Sequence, residues 1–167
     1  MISFVPPSKP PREDPDALAL LACEHDDLRR AFDRVDAAFS GRPPSRAELV
    51  DLCLALKIHG VLERELVYPA ARAAMSGDAL LDRTERDHEE VDRMIESLLA
   101  LAPSDDAVLR ERVDALHRMA DRQFEEAELT LFTRLIVGDL DMEALGHRLA
   151  DRRREVTAEL GLLPMKH

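Results

Sequence analysis

IHGVLERELVYPA, residues 58–70, decides how this chain reads. On a helix it sets His59 and Glu63 on one face, because residues four apart are neighbours there. Leu49, Leu52 and Leu56 precede the pair and Leu66 and Ala70 follow it at helical spacing. The stripe that should face a core is therefore interrupted by an imidazole and a carboxylate. A buried ionisable group without a partner is costly, so these two side chains are there for a reason other than packing.

Outward from this stretch the same period continues. Ser45 followed by Glu48 forms a capping box that opens the helix. Before it, Leu18, Leu21, His25, Leu28, Phe32, Val35 and Phe39 mark one face of a first helix, broken at Gly41 to Pro44. After it, Ser76-Gly77-Asp78 leads to a third stripe, Leu81, Thr84, His88, Val91, Ile95, Leu98 and Ala102. A break at Pro103 to Asp106, with Ser104 as cap, leads to a fourth: Leu109, Val113, Leu116, Ala120, Gln123, Ala127 and then Thr130 or Leu131. Gly138-Asp139 ends it. A fifth amphipathic segment, Leu145, Leu149, Val156 and Leu160, packs outside the others or forms a contact between two copies of the chain. Four long helices on short loops must alternate in direction. The expected fold is all-α, an antiparallel up-down-up-down four-helix bundle with an additional C-terminal helix. Its parts are a proline-rich arm over 1–15, the bundle over 16–137, and a C-terminal helix and tail over 138–167.

Composition agrees. The chain has 167 residues, 46% of them apolar and 34% charged, with six glycines and no Trp, which suits one helical domain. A formal net charge of −11 argues against a nucleic-acid surface, which needs clustered Lys and Arg. Arg152, Arg153 and Arg154 form the one dense basic run and read as a solvated helix face. No apolar stretch approaches the roughly 20 residues of a membrane span, and the N-terminus lacks a leader pattern, so a cytoplasmic protein without membrane contact is expected. Cys23 and Cys53 fall inside helical patterns and read as reduced, buried residues.

Three stripes carry polar residues at matching heights. His25 lies about 9 residues into its helix and His88 about 10 into its own, roughly 14 and 15 Å along their axes. Counted back from its C-terminal end, Glu63 lies roughly 15 Å deep, with His59 one turn deeper. The four groups converge in one layer. Imidazole nitrogen with carboxylate oxygen suits iron, manganese or zinc.

At this point the chain resembles the hemerythrin, or HHE cation-binding, family over roughly residues 16–150. The resemblance rests on His25 in ACEHDDL, on His59 and Glu63 with Tyr68-Pro69 in IHGVLERELVYPA, and on His88 in ERDHEEVDRMI. It implies a His-x-x-x-Glu pair on the fourth helix as well, followed by Leu-Phe-Pro. That pair falls on QFEEAELTLFT, where Leu131-Phe132 sets the register, Gln123 takes the histidine position, Ala127 the carboxylate position, and Thr133 replaces the proline. Members of the family hold two irons with bridging carboxylates, and bind or sense dioxygen or nitric oxide or handle iron.

Three readings of the altered fourth helix stay open. Glu128, five residues after Gln123, bridges two ions, or Glu126 swings in from one turn away. One ion remains on His25, His59 and Glu63, with His88 the next candidate. Or no metal binds, and the histidines and Gln123 bond each other and water. The functions that follow are a non-haem metal protein, iron first and zinc or manganese second, for a small diatomic ligand or redox state; an oxidoreductase that reduces peroxide at an open coordination position; and a metal-free interaction bundle, with a homodimer among its partners. His117 and Asp121 read as a surface pair, His147 and His167 as solvated. Glu24, Glu85, Glu89 and Asp92 read as a charged exterior, with support of His88 from one turn away the alternative for Asp92.

Overall fold

The computed structural model describes residues 16–74, 79–101 and 106–161. The N-terminal arm, the Ser76-Gly77-Asp78 break, Ser104 and His167 lie outside them. Helix α1 (Ala17–Ala38) opens on Asp16, whose carboxylate accepts from the Ala19 amide at 3.0 Å. Helix α2 (Arg46–Leu62) opens on the Ser45/Glu48 capping box, each side chain bonding the other's backbone N–H, as the sequence predicts. It runs through a π turn (Glu63–Val67) into α3 (Tyr68–Ala74), so the three form one rod. Helix α4 (Ala79–Leu99) is the third rod. The fourth joins α5 (Asp106–Glu126), a second π turn (Ala127–Leu131) and α6 (Phe132–Val137). Asp139 ends it by taking a left-handed φ of 52°, which the short Asp side chain tolerates better than most. The carboxylate of Asp141 then accepts from the Ala144 amide at 2.8 Å and caps α7 (Met142–Gly161).

Helix α1 packs on α2 and α5, and α4 packs on α2 and α5, which closes the four rods into the expected antiparallel bundle. Helix α7 lies outside it, against α1, α2 and the first π turn, burying Leu145, Leu149 and Val156. The intramolecular alternative for the fifth segment is thus the one realised. No helix among the described residues is long and apolar enough to cross a membrane.

The core has two apolar clusters. Leu28, Phe32, Leu52, Leu56, Ile95 and Leu116 belong to one, and Leu21, Leu62, Tyr68, Leu81, Leu131 and Leu135 to the other. Each rod passes from one cluster to the other where its buried polar residues stand: Glu24 and His25, His59 and Glu63, Thr84 and His88, Gln123. The polar layer inferred from helix heights is therefore present as a slab between two greasy ends.

Two local readings need correction. Beyond Glu63 the buried positions are Val67, Tyr68 and Ala71, not Leu66 and Ala70. The π turn spends an extra residue there, with the Tyr68 N–H bonding the Glu63 carbonyl five residues back, so the stripe moves on by one. Cys23 is exposed; only Cys53 is buried, where desolvation pushes its thiol up to about 12.

Candidate metal centre

His25 on α1, His59 on α2 and Glu63 at the start of the first π turn bring their ligand atoms within 4.8 Å of one another, all three buried. His59 Nε2 stands 3.6 Å from Glu63 Oε1. His25 Nε2 and Glu63 Oε1 are sealed from solvent and have no hydrogen-bond partner among the described residues. The two imidazoles meet edge to face with centroids 4.9 Å apart, and His25 also stacks on Phe124 at 4.5 Å. An apolar wall thus backs the polar cluster and keeps water from its rings.

Both imidazoles are held from behind in the same way. His59 Nδ1 lies 2.9 Å from Glu24 Oε2, and His25 Nδ1 lies 2.8 Å from Glu128 Oε1. A carboxylate on Nδ1 fixes that nitrogen as the N–H donor and turns the Nε2 lone pair inward, the arrangement that commonly supports a metal-bound histidine. Glu128 is held in turn by Arg29, whose Nη1 and Nη2 donate to its two oxygens at 3.0 and 3.3 Å. Burial opposes the charge on Glu128, but Arg29 and His25 outweigh it and keep the carboxyl below its ordinary range.

The second oxygen of Glu63 is engaged differently. Oε2 accepts from the Tyr68 hydroxyl at 2.8 Å and lies 2.7 Å from His88 Nε2, and Tyr68 Oη and His88 Nε2 are themselves 2.7 Å apart. The π turn makes this triangle: residues five apart come into line across it, which stacks Tyr68 on Glu63. Burial, then the Glu63 charge, push the Tyr68 phenol far up, so it remains a donor. Gly60 lets the chains approach, because a Cβ there would stand 3.2 Å from His88 Nδ1.

The electrostatics favour a cation at the centre. Burial, reinforced by His59, holds the His25 imidazole down at about 4, leaving it neutral near pH 7. Burial also opposes a charge on His59, but Glu63 and Glu24 overcome it and raise its affinity for a proton. Glu63 pays for its burial too, yet the three surrounding imidazoles keep it ionised well below the carboxylate range. A proton is thus drawn to the cluster, and a metal ion offers the same positive charge. The orphaned Nε2 and Oε1 atoms and an N,N,O donor set both fit such an ion. Three ligands about 2.1 Å from one ion stand about 3.4–3.6 Å apart in tetrahedral or trigonal geometry; His59 Nε2 and Glu63 Oε1 already meet that spacing at 3.6 Å, and the wider separations in the set, within 4.8 Å, close by movements of about an ångström.

The remaining expected site residues fall elsewhere. His88 touches the cluster only through Glu63. Gln123 is buried with its side-chain nitrogen unpartnered, and Ala127 beside it offers no donor. Glu126 does not swing in; it lies on the α5 face toward α4 and pairs with Arg83. Glu128 reaches the outer nitrogen of His25 rather than a bridging position. Glu24 was placed among exterior charges and is instead 5% exposed and bonded to His59. Its signal was present: Ala17, Leu21, Glu24 and Leu28 step by four, three and four, putting Glu24 on the buried face. Asp92 does lie at the periphery, half-buried against Arg64 at 2.8 Å. His117 does pair with Asp121, at 3.4 Å, but it is half-buried, stacked on Phe32 and 3.0 Å from Asp36.

Residues 16–155 match the family model described as the hemerythrin HHE cation binding domain. No curated protein and no solved structure matches the chain.

Proposed function

The chain belongs to the hemerythrin HHE cation-binding family, and from that premise we propose that it holds one iron-type ion on His25, His59 and Glu63 to bind or sense a small diatomic ligand. The observation that carries the reading is the convergence of His25 Nε2, the His59 imidazole and Glu63 Oε1, two of these atoms buried without partners. An unsatisfied buried polar atom costs about 1–3 kcal/mol, which a shared cation would relieve. Two imidazoles and one carboxylate leave coordination positions open, and a redox-active ion bound there supplies the site for dioxygen or nitric oxide.

Support for one ion over two comes from what surrounds the cluster. Glu63 Oε2 and His88 Nε2 are committed to each other and to Tyr68. On the fourth rod Gln123 and Ala127 replace an imidazole and a carboxylate. Reconstitution of the full chain with Fe(II) without oxygen, followed by elemental analysis, is expected to give one equivalent of iron and a nitric oxide adduct visible by absorption. His59→Ala should lose the iron, and the double variant Gln123→His/Ala127→Glu should gain a second equivalent. Protein that takes up no iron, or two equivalents as wild type, would overturn the reading.

A further inference from the structure

The basic run Arg152-Arg153-Arg154 does not form a uniformly solvated face. Arg152 grips the first π turn: its Nε and Nη2 lie 2.7 and 3.3 Å from the two oxygens of Glu65, two residues beyond Glu63. Arg153 Nη1 lies 3.4 Å from Glu24 Oε1, the oxygen of that carboxylate with no hydrogen bond of its own. Glu24 is nearly sealed from water, and its other oxygen meets His59 Nδ1. Among the described residues Arg154 pairs only with Asp151, on its own helix. Two neighbouring arginines of α7 therefore reach the π turn that carries Glu63 and, on α1, the Glu24 that holds His59, and the third reaches neither.

From this geometry we infer that Arg153 is a positioning residue for the metal ligand His59, acting through Glu24, and that docking of α7 and metal binding are thermodynamically linked. The inference rests on the single-ion reading above. A carboxylate oxygen so deeply buried and without a hydrogen bond calls for a positive charge beside it. Arg153 supplies the charge. With it, the Glu24 carboxylate is fixed between two helices and His59 keeps its Nε2 aimed at the cluster; without it, Oε1 is left unpartnered, the carboxylate is free to turn toward water, and the ring loses its anchor. The relay His59–Glu24–Arg153 repeats His25–Glu128–Arg29, but its last member stands on a helix outside the four-rod bundle. Linkage is reciprocal, so whatever Arg153 adds to metal affinity, metal adds to the docking of α7.

The test is a Co(II) titration of the full chain, read by ligand-field absorption, on wild type, Arg153→Gln, Arg153→Lys and Arg154→Gln, with the thermal midpoint of each metal-free protein measured alongside. Arg153→Gln is expected to weaken Co(II) binding about tenfold, the low end for outer partners of a metal-bound imidazole. Arg153→Lys should recover part of the loss, and Arg154→Gln should bind as wild type. A purely structural role would lower the metal-free midpoint of Arg153→Gln and leave its Co(II) affinity alone, which would overturn the inference. Equal affinities for Arg153→Gln and Arg154→Gln would do the same. If Arg153→Gln does not fold, hydrogen exchange of wild type decides: Co(II) should slow exchange across Met142–Gly161, and unchanged exchange refutes the linkage. Wild type that binds no Co(II) overturns the metal-site reading and this inference together.

Discussion

Tyr68→Phe isolates one hydroxyl in the most tightly bonded part of the molecule. The ring is fully buried, so the phenyl group keeps the packing and only the oxygen leaves. That oxygen donates to Glu63 Oε2 at 2.8 Å and sits 2.7 Å from His88 Nε2. A hydrogen bond to a charged group is worth about 1.5–3 kcal/mol. Glu63 is not abandoned when the hydroxyl goes, because His88 still reaches the same oxygen at 2.7 Å; the loss is the charged bond to Glu63 and the hydroxyl's contact with a His88 nitrogen that keeps Glu63 as partner, not a buried orphan charge. The expected cost to the metal-free protein is therefore about 1.5–3 kcal/mol, with no cavity contribution larger than one oxygen. Urea denaturation at pH 7, with the slope unchanged between variants, measures it directly. The bond is made to Glu63, so the cost should shrink in a Glu63→Gln background, where the acceptor is neutral. A cost below about 0.5 kcal/mol, or the same cost in both backgrounds, would mean that Tyr68 does not support an ionised Glu63, the scale here being that of a neutral surface contact.

Other outcomes follow from the same coordinates. Gly60→Ala should gain no stability: the helix gains about 0.5–1 kcal/mol in propensity, but the new Cβ meets His88 Nδ1 at 3.2 Å while His88 is pinned on its far side. A full gain by thermal melting would show the ring free to retreat. Glu128→Gln should weaken Co(II) binding by about tenfold or more by loosening His25, whereas Glu126→Gln, whose side chain pairs with Arg83, should leave it unchanged. Arg42, then Ser45, hold Glu48 at about 2 against an ordinary value of 4.5. Its folded-state pKa is depressed, so its contribution is present above pH 4.5 and lost as the pH falls toward 2. Because Glu48 is solvent-exposed, that contribution is screened to no more than about 1 kcal/mol, and Glu48→Gln should flatten the acid limb of the stability curve by that much. An unaltered limb would refute the capping geometry.

The architecture was legible because every rod keeps its apolar period for several turns, and because imidazoles interrupt those periods at matching depths. His25, His59 and Glu63 could be brought together from spacing alone. What spacing could not supply was the outer layer. Glu24 falls on a buried stripe of α1, but the arginine that meets it comes from α7, which spacing within α1 cannot show. Arg29 and Arg153 look like solvated charges until the carboxylates they meet are known, since their partners lie far away in sequence. The π turns were also invisible, because one inserted residue shifts a stripe without breaking it. That shift separates Leu66 and Ala70, where the sequence puts the core, from Val67 and Ala71, where it lies.

The same turn recurs in the fourth rod, where Gln123 and Ala127 stand at the positions that match His59 and Glu63. His59, Glu63 and Tyr68 recur at one constant offset as Gln123, Ala127 and Phe132, and a π turn opens at Glu63 in one rod and at Ala127 in the other. In each, the aromatic residue bonds its N–H to the carbonyl five residues back, and its ring is buried. If the carboxylate at the start of the turn were what distorts the helix, Ala127 would have let the second rod relax to an ordinary α-helix. It has not. The turn is held instead by packing: Leu131, Phe132 and Leu135 fill the apolar cluster as Val67, Tyr68 and Ala71 do opposite them. The π turn thus persists where Gln123 and Ala127 stand, and of the two rods that contain one only the rod with His59 and Glu63 presents an imidazole and a carboxylate at those positions.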